Sequence, residues 1–236
     1  MCTVSFVKTA DSIIITSNRD EKIIRPSAIP PQSYSVNNQN VIYPKDPKAG
    51  GTWFATNKAG AVLVLLNGAQ EKHEVHMPYR KSRGLIVLDV ISALSPRASW
   101  DVIDLDQIEP FTLVLFQDEQ LWQLRWNGSE KETIGLEVNQ PHVWSSSTLY
   151  PAAVREERAT WFHQYMNEKQ QISANDMYQF HRYTHNDNQE NGLVINRNDE
   201  MQTLSITQAV LQQSKVSVLH YDLITQEDFT TSFITV

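Results

Sequence analysis

Two β-branched runs at the start of the chain constrain the fold more than any other stretch. Val4-Ser5-Phe6-Val7 and Ile13-Ile14-Ile15 flank a polar break from Lys8 to Asp11, and the second run leads into Asn18-Arg19-Asp20-Glu21. Apolar runs of this length around a short break read as a β-hairpin. With a tight turn centred on Ala10-Asp11, residues whose numbers sum to twenty-one face each other. Cys2 then stands opposite Arg19, with Asp20 one step on. A one-residue bulge would set Asp20 opposite Cys2 instead. In either register a thiol comes beside a guanidinium and a carboxylate.

That arrangement has a chemical use. Trimming of the initiator methionine before a residue as small as cysteine would leave Cys2 carrying the free α-amine. Such an amine titrates near neutrality and can take the thiol proton, so nucleophile and base sit on one residue. Arg19 would favour the thiolate by its charge, and Asp20 would hold and orient the ammonium form. Two other readings of Cys2 stand beside this one. It is a small apolar residue opening a strand, or an exposed low-pKa thiol that senses oxidants.

Met1-Cys2, Asn18-Arg19-Asp20-Glu21 and Arg25-Pro26, followed by Gly50-Gly51-Thr52-Trp53 and Ser82-Arg83-Gly84, occur in that order over the first ninety or so residues. This series resembles the signature of the NRDE family, whose best-known members are the transport-and-Golgi-organisation proteins. The family in turn resembles the N-terminal-nucleophile (Ntn) hydrolases, above all the bile-salt hydrolase and penicillin-acylase branch that also starts Met-Cys. The resemblance implies a four-layer α-β-β-α sandwich of two antiparallel sheets. It implies Cys2, Arg19, Asp20 and Asn67 as the catalytic set, with Asn67 donating to an oxyanion, and Asn18 and Ser147 as substrate contacts. Counted back from Arg155, which resembles a family arginine, Ser147 stands where related enzymes carry an asparagine. A serine donates one hydrogen bond and reaches less far than an amide.

At 236 residues the chain suits a single domain, 1–236, long enough to bury a two-sheet core. The formal charge of −7 argues against a nucleic-acid partner, since phosphate binding wants a basic stripe. One cysteine excludes an internal disulfide and a cysteine-rich zinc site. No run approaches membrane-spanning length and no secretory signal is evident, so the expectation is a cytoplasmic protein without membrane insertion. His73 with His76, and His181 with His185, lack a third ligand for zinc. The latter pair reads as solvated histidines at a helix end. No metal and no cofactor are expected.

Further along, residues 25–51 read as a proline- and asparagine-rich loop with one short strand at Val41-Ile42-Tyr43. Thr52–Thr56 and Ala61–Leu66 read as a second hairpin around Asn57-Lys58-Ala59-Gly60, ending at Asn67-Gly68. That pair also suits a plain turn asparagine before glycine. Leu85, Leu88, Ile91 and Leu94 repeat at helical spacing, closed by Pro96. Phe111–Phe116 and Leu121–Trp126 form a strand pair, and Val143–Tyr150 another strand. Pro151 opens a helix, and Ser173 with Asp176 caps a second one reaching about His185. Strands at Thr203–Val210, Val216–Asp222 and Phe229–Thr235 finish the chain. Runs of strands with segregated helices argue α+β with antiparallel sheets.

Two functions follow. The first is hydrolysis or acyl transfer at an amide or related acyl bond of a small molecule, through a Cys2 acyl-enzyme. The second is a non-catalytic binding or trafficking protein that keeps the pocket and takes a small hydrophobic ligand such as haem or lipid.

Overall fold

The computed structural model describes residues 3–198 and 200–235; Met1, Cys2, Asp199 and Val236 lie outside the described residues. The opening hairpin is β1 (Thr3–Lys8) and β2 (Ile13–Lys22). Their antiparallel register runs from Thr3 opposite Asn18 to Lys8 opposite Ile13, each pair summing to twenty-one. The Thr9 amide donates to the Ser12 carbonyl at 2.8 Å and closes the turn. The step from Thr3 to Cys2 falls outside the described residues.

Residues 25–51 depart from the loop expectation. They form a second hairpin, β3 (Ile29–Val36) and β4 (Gln39–Lys45). Its turn is Asn37-Asn38, with φ of 49° and 62°. Two consecutive positive φ values match the right-handed twist of paired strands, and asparagine tolerates them. Two of the stretch's prolines, Pro30 and Pro31, sit in β3 and fall in a register shift between Ile29 and Gln32. Because β3 is an edge strand, its missing amide donors break no ladder.

The chain continues through β5 (Phe54–Asn57) and β6 (Val62–Asn67) to helices α1 (Arg83–Ile91) and α2 (Pro96–Val102). Pro96 therefore opens a helix rather than closing one. Ser95 caps it, its side chain accepting from the Ala98 amide, and a proline at the first helical position loses no hydrogen bond. Then come β7 (Phe111–Gln117), β8 (Gln120–Trp126), β9 (Lys131–Leu136) and β10 (His142–Ser145). The strand expected over 143–150 thus ends at Ser145. Helix α3 spans Ala152–Glu168, and α4 spans Ala174–Tyr183 with the Ser173–Asp176 capping box in place. A short β11 (Asn196–Arg197) precedes β12 (Met201–Gln212), β13 (Lys215–Asp222) and β14 (Glu227–Ile234).

Two antiparallel sheets result. One has the order β10-β1-β2-β12-β13-β14, with β11 on β12; the other runs β3-β4-β5-β6-β7-β8-β9. The opening hairpin shows how its sequence makes two layers at once. Ile13 and Ile15 join Val4 and Phe6 in the core shared with the second sheet, while Ile14 and Val7 pack with Phe162, Met177 and Phe180 of α3 and α4. Successive side chains of a strand point to opposite faces, so a strand covered on both sides is apolar throughout. Helices α1 and α2 pack on β5, β6 and β7 of the other sheet. The layers therefore run helix, sheet, sheet, helix.

Candidate active site

β2 carries the charged cluster beyond its pairing with β1. On its other side Arg19 pairs with Ser205 and Asp20 with Thr203, across a bulge at Leu204 of β12. Strand alternation sends the two side chains to opposite faces of the sheet. Asp20 is buried, and accepts from the Thr203 hydroxyl at 2.5 Å and from the Tyr150 hydroxyl at 2.8 Å. Arg19 turns inward, between the sheets. Its Nη2 donates to Asp46 Oδ2 at 2.8 Å, and its guanidinium carbon lies 4.3 Å from the centroid of the Trp53 ring.

Asp46 is the anchor of this corner. Oδ2 also accepts from Arg25 Nη1 at 3.2 Å, and Oδ1 accepts from the amides of Lys48 and Ala49, each at 2.9 Å. Burial pushes its pKa up, but the Ala49 amide, the Arg19 and Arg25 charges and the Lys48 amide outweigh this, and the net direction is down. Burial lowers the Arg19 pKa, offset by the Asp46 charge. A guanidinium stays protonated throughout the working range, so the pair is ionised at neutral pH. Removing one member would strand a buried charge.

These residues line a cavity of about 180 Å³. Its charged walls are Arg19, Arg25, Arg83, Glu21, Asp46 and Glu109, and Trp53, Leu65 and Asn67 are among its other walls. Arg83 is paired with Glu109 at 3.0 Å. The Gly-Gly-Thr-Trp and Ser-Arg-Gly blocks, about thirty residues apart, meet here backbone to backbone. The Thr52 amide donates to the Gly84 carbonyl at 3.1 Å. A Cβ on Gly51 would fall 2.4 Å from the Gly84 carbonyl carbon. Gly51→Ala is therefore expected to destabilise the fold by about 3 kcal/mol, as overpacking against main chain does. A denaturant midpoint unchanged from wild type would show that the two blocks move apart freely.

Asn67 closes β6 at the junction of two cavities. Its side-chain amide makes no hydrogen bond to a described residue, while its carbonyl accepts from the Ser146 hydroxyl at 2.8 Å. Besides the first cavity it borders a second, of about 160 Å³, shared with Ser147, Arg125 and Arg155. Ser147 donates its hydroxyl to the Glu71 carbonyl at 3.2 Å, and Arg155 donates to the Gln70 carbonyl at 3.0 Å. Gly68 has φ of +82°, and a Cβ there would meet Ser147 Oγ at 2.2 Å. The asparagine-glycine pair thus ends the strand and lets the Ser147 segment approach it.

The structure brings Arg19 and Asn67 to one cavity, and Asn67 and Ser147 to its neighbour. It does not bring Asn18 to either. Asn18 is fully buried and donates to the carbonyls of His181 at 3.1 Å and Leu193 at 2.6 Å, and its Oδ1 meets His181 Nδ1 at 2.5 Å. His181 is likewise buried rather than solvated, with Nε2 against Ser5 Oγ at 2.7 Å. Burial and the Arg158 charge lower its pKa to about 3. Both Asn18 and His181 pin α4 to the sheet. Cys2, the expected nucleophile, lies outside the described residues.

Sequence reasoning missed Asp46, Trp53, Tyr150, Thr203 and Arg158. Trp53 and Asp46 lay in stretches read as strand and loop. Arg158, in α3, is buried, donating to Thr3 Oγ1 at 2.8 Å with its guanidinium carbon 3.6 Å from the centroid of the Tyr150 ring. Among the described residues no group of three His, Cys, Asp or Glu side chains is placed to hold a metal ion, and no helix is long and apolar enough to cross a membrane.

The fold has a counterpart among solved structures. The Caenorhabditis elegans ortholog of N-acylethanolamine-hydrolyzing acid amidase matches with a TM-score of 0.62 at 12% identity, over 88% of this chain and 92% of that one. The fold is thus that of the Ntn hydrolases. A cysteine-to-alanine mutant of conjugated bile acid hydrolase from Clostridium perfringens matches with a TM-score of 0.47 at 8% identity, over 99% and 97% of the two chains. No curated protein sequence matches the chain significantly. The family model for Transport and Golgi organisation 2 matches residues 1–235, almost the entire length. This chain, with its Asn18-Arg19-Asp20-Glu21 strand end built into the sheet beside a charged cavity, belongs to the Transport and Golgi organisation 2 family.

Proposed function

We propose that the protein is an Ntn hydrolase or acyltransferase in which Cys2 attacks an amide or related acyl carbon. The observation that carries this reading is the register of β1 on β2. Thr3, the first described residue of β1, lies opposite Asn18, so the start of the chain arrives at the end of β2 that carries Arg19 and Asp20, with Arg19 turned into the cavity. The free α-amine of Cys2 takes the thiol proton, and the thiolate adds to the carbonyl carbon. The tetrahedral intermediate collapses to a thioester as the ammonium returns its proton to the leaving amine. Water, or an acceptor amine or alcohol, then adds to the thioester and frees the thiol.

The supporting groups have separate roles. Asp20, gripped by Tyr150 and Thr203, is a fixed carboxylate on the other face and would orient the ammonium. Arg19 supplies positive charge at the cavity, and Asn67 offers an amide whose donors no described residue takes up. Preorganised donors of this kind stabilise a developing oxyanion. The reading is tested by intact mass and by alkylation. Met1 should be absent from protein isolated from cells, and iodoacetamide should modify Cys2 faster at neutral pH than an ordinary thiol, with Arg19→Gln slowing it. Retention of Met1 would turn the amine into a peptide nitrogen and remove the base.

One observation favours the non-catalytic reading. Ser147 stands in place of the expected asparagine, and its hydroxyl proton is already donated to the Glu71 carbonyl. A binding protein could dispense with that donor. The charged walls of the first cavity suit haem or lipid poorly, because an apolar ligand would strand the ionised groups without water.

A further inference from the structure

The first cavity contains two buried hydrogen-bond donors with nothing to donate to. Arg19 Nη1 and Trp53 Nε1 have no partner among the described residues, although both residues are only 2% exposed and both line the cavity. Neither group can accept, so only an acceptor satisfies them. Buried polar groups are almost always paired, and two orphans on residues that touch and line one cavity point to a missing occupant. Two further buried polar atoms lie close by. Ser205, the strand partner of Arg19, has an unpartnered hydroxyl, and His220, whose ring lies 6.2 Å from that of Trp53, has an unpartnered Nε2.

We propose that Arg19 Nη1 and Trp53 Nε1 form the seat for a carboxylate carried by the substrate. This rests on the reading of the cavity as the substrate site and narrows the substrate class to small acyl compounds bearing an acid group. Two N–H donors on planar groups suit the two oxygens of a carboxylate, and the guanidinium makes the bond charge-assisted. Arg19 is fixed in place with one end free, since Asp46 takes Nη2, Trp53 stacks on the guanidinium plane, and Nη1 is left over. A dianionic phosphate fits less well, because Glu21, Asp46 and Glu109 share the walls with the three arginines. At 180 Å³ the cavity is below the ordinary range of about 300–1,000 Å³ for ligand pockets, which limits the group to something close to amino-acid size.

The test is calorimetric titration of the Cys2→Ala protein, which leaves an amide ligand intact. N-acetylglycine, with an amide and a carboxylate, is compared with neutral N-acetylglycinamide. The acid should bind at least tenfold more tightly. Trp53→Phe, which keeps the ring and removes only the N–H, should weaken the acid about tenfold and leave the amide unchanged; Arg19→Lys should do the same. Thermal unfolding of each variant confirms that it is folded. Equal binding of acid and amide, binding of neither, or an unaffected Trp53→Phe protein would overturn the proposal and leave ordered water as the occupant. Tighter competition by inorganic phosphate than by acetate would overturn the choice of carboxylate. Because the titration needs no nucleophile, acid binding without turnover in processed protein would keep the seat and discard the hydrolase.

Discussion

Cys2→Ala is expected to abolish release of amine from any amide that the processed protein hydrolyses, with the unfolding midpoint unchanged. The Ntn mechanism places nucleophile and base on this one residue, so no second group can take over. Cys2→Ser keeps the shape and a weaker nucleophile, and should retain a small residual rate. Asn67→Ala separates chemistry from binding. If the amide meets the oxyanion it should cost about a hundredfold in kcat, roughly 3 kcal/mol, with little change in KM. A loss confined to KM would make Asn67 a ground-state contact. Full activity in Cys2→Ala would end the assignment of the nucleophile.

The second large effect is on stability, and its sign follows from His181. Asn18 donates both amide hydrogens to carbonyls, so its Oδ1 must accept, and His181 Nδ1 carries the proton. Nε2 then accepts from the Ser5 hydroxyl. This is the neutral ring, and the folded pKa of about 3 lies below the ordinary 6.5. Above pH 6.5 the ring is neutral in both states and its contribution is complete. As pH falls from 6.5 toward 3 the unfolded chain binds the proton and the folded one does not, so stability is lost across that window. Each pKa unit is worth about 1.4 kcal/mol, so the loss amounts to several kcal/mol. His220, at about 4 through burial, acts in the same direction. Urea titrations at about pH 7, 5.5 and 4 should show a steep fall for wild type and a shallower one for His181→Gln, which cannot protonate. Parallel slopes would assign the acid sensitivity to other groups.

The order of strands along the opening hairpin was legible because alternation and turn length are local. Ile13-Ile14-Ile15 read as a strand, and a tight turn at Ala10-Asp11 set the pairs that sum to twenty-one, which hold from Thr3–Asn18 through Lys8–Ile13. The Ser173–Asp176 capping box is local in the same way. The β3–β4 hairpin was not legible, since Pro30 and Pro31 are harmless in β3 only because it is a sheet edge, and edge position is a property of the assembled sheet. Arg19 was readable as a site residue from its cluster. That it faces Trp53 and Asp46 rather than Asp20 depends on the second sheet, whose residues arrive from 27 and 34 positions further on. Asn18 and His181 show the converse. Residues of the types that do chemistry were drawn into a sealed polar pin, because α4 packs against β2 over those positions. Sequence alone determined the opening hairpin, the helix cap and which residue types cluster; tertiary packing decided the edge strands and which of those side chains meet in a cavity, because burial and pairing are set by segments far apart in the chain.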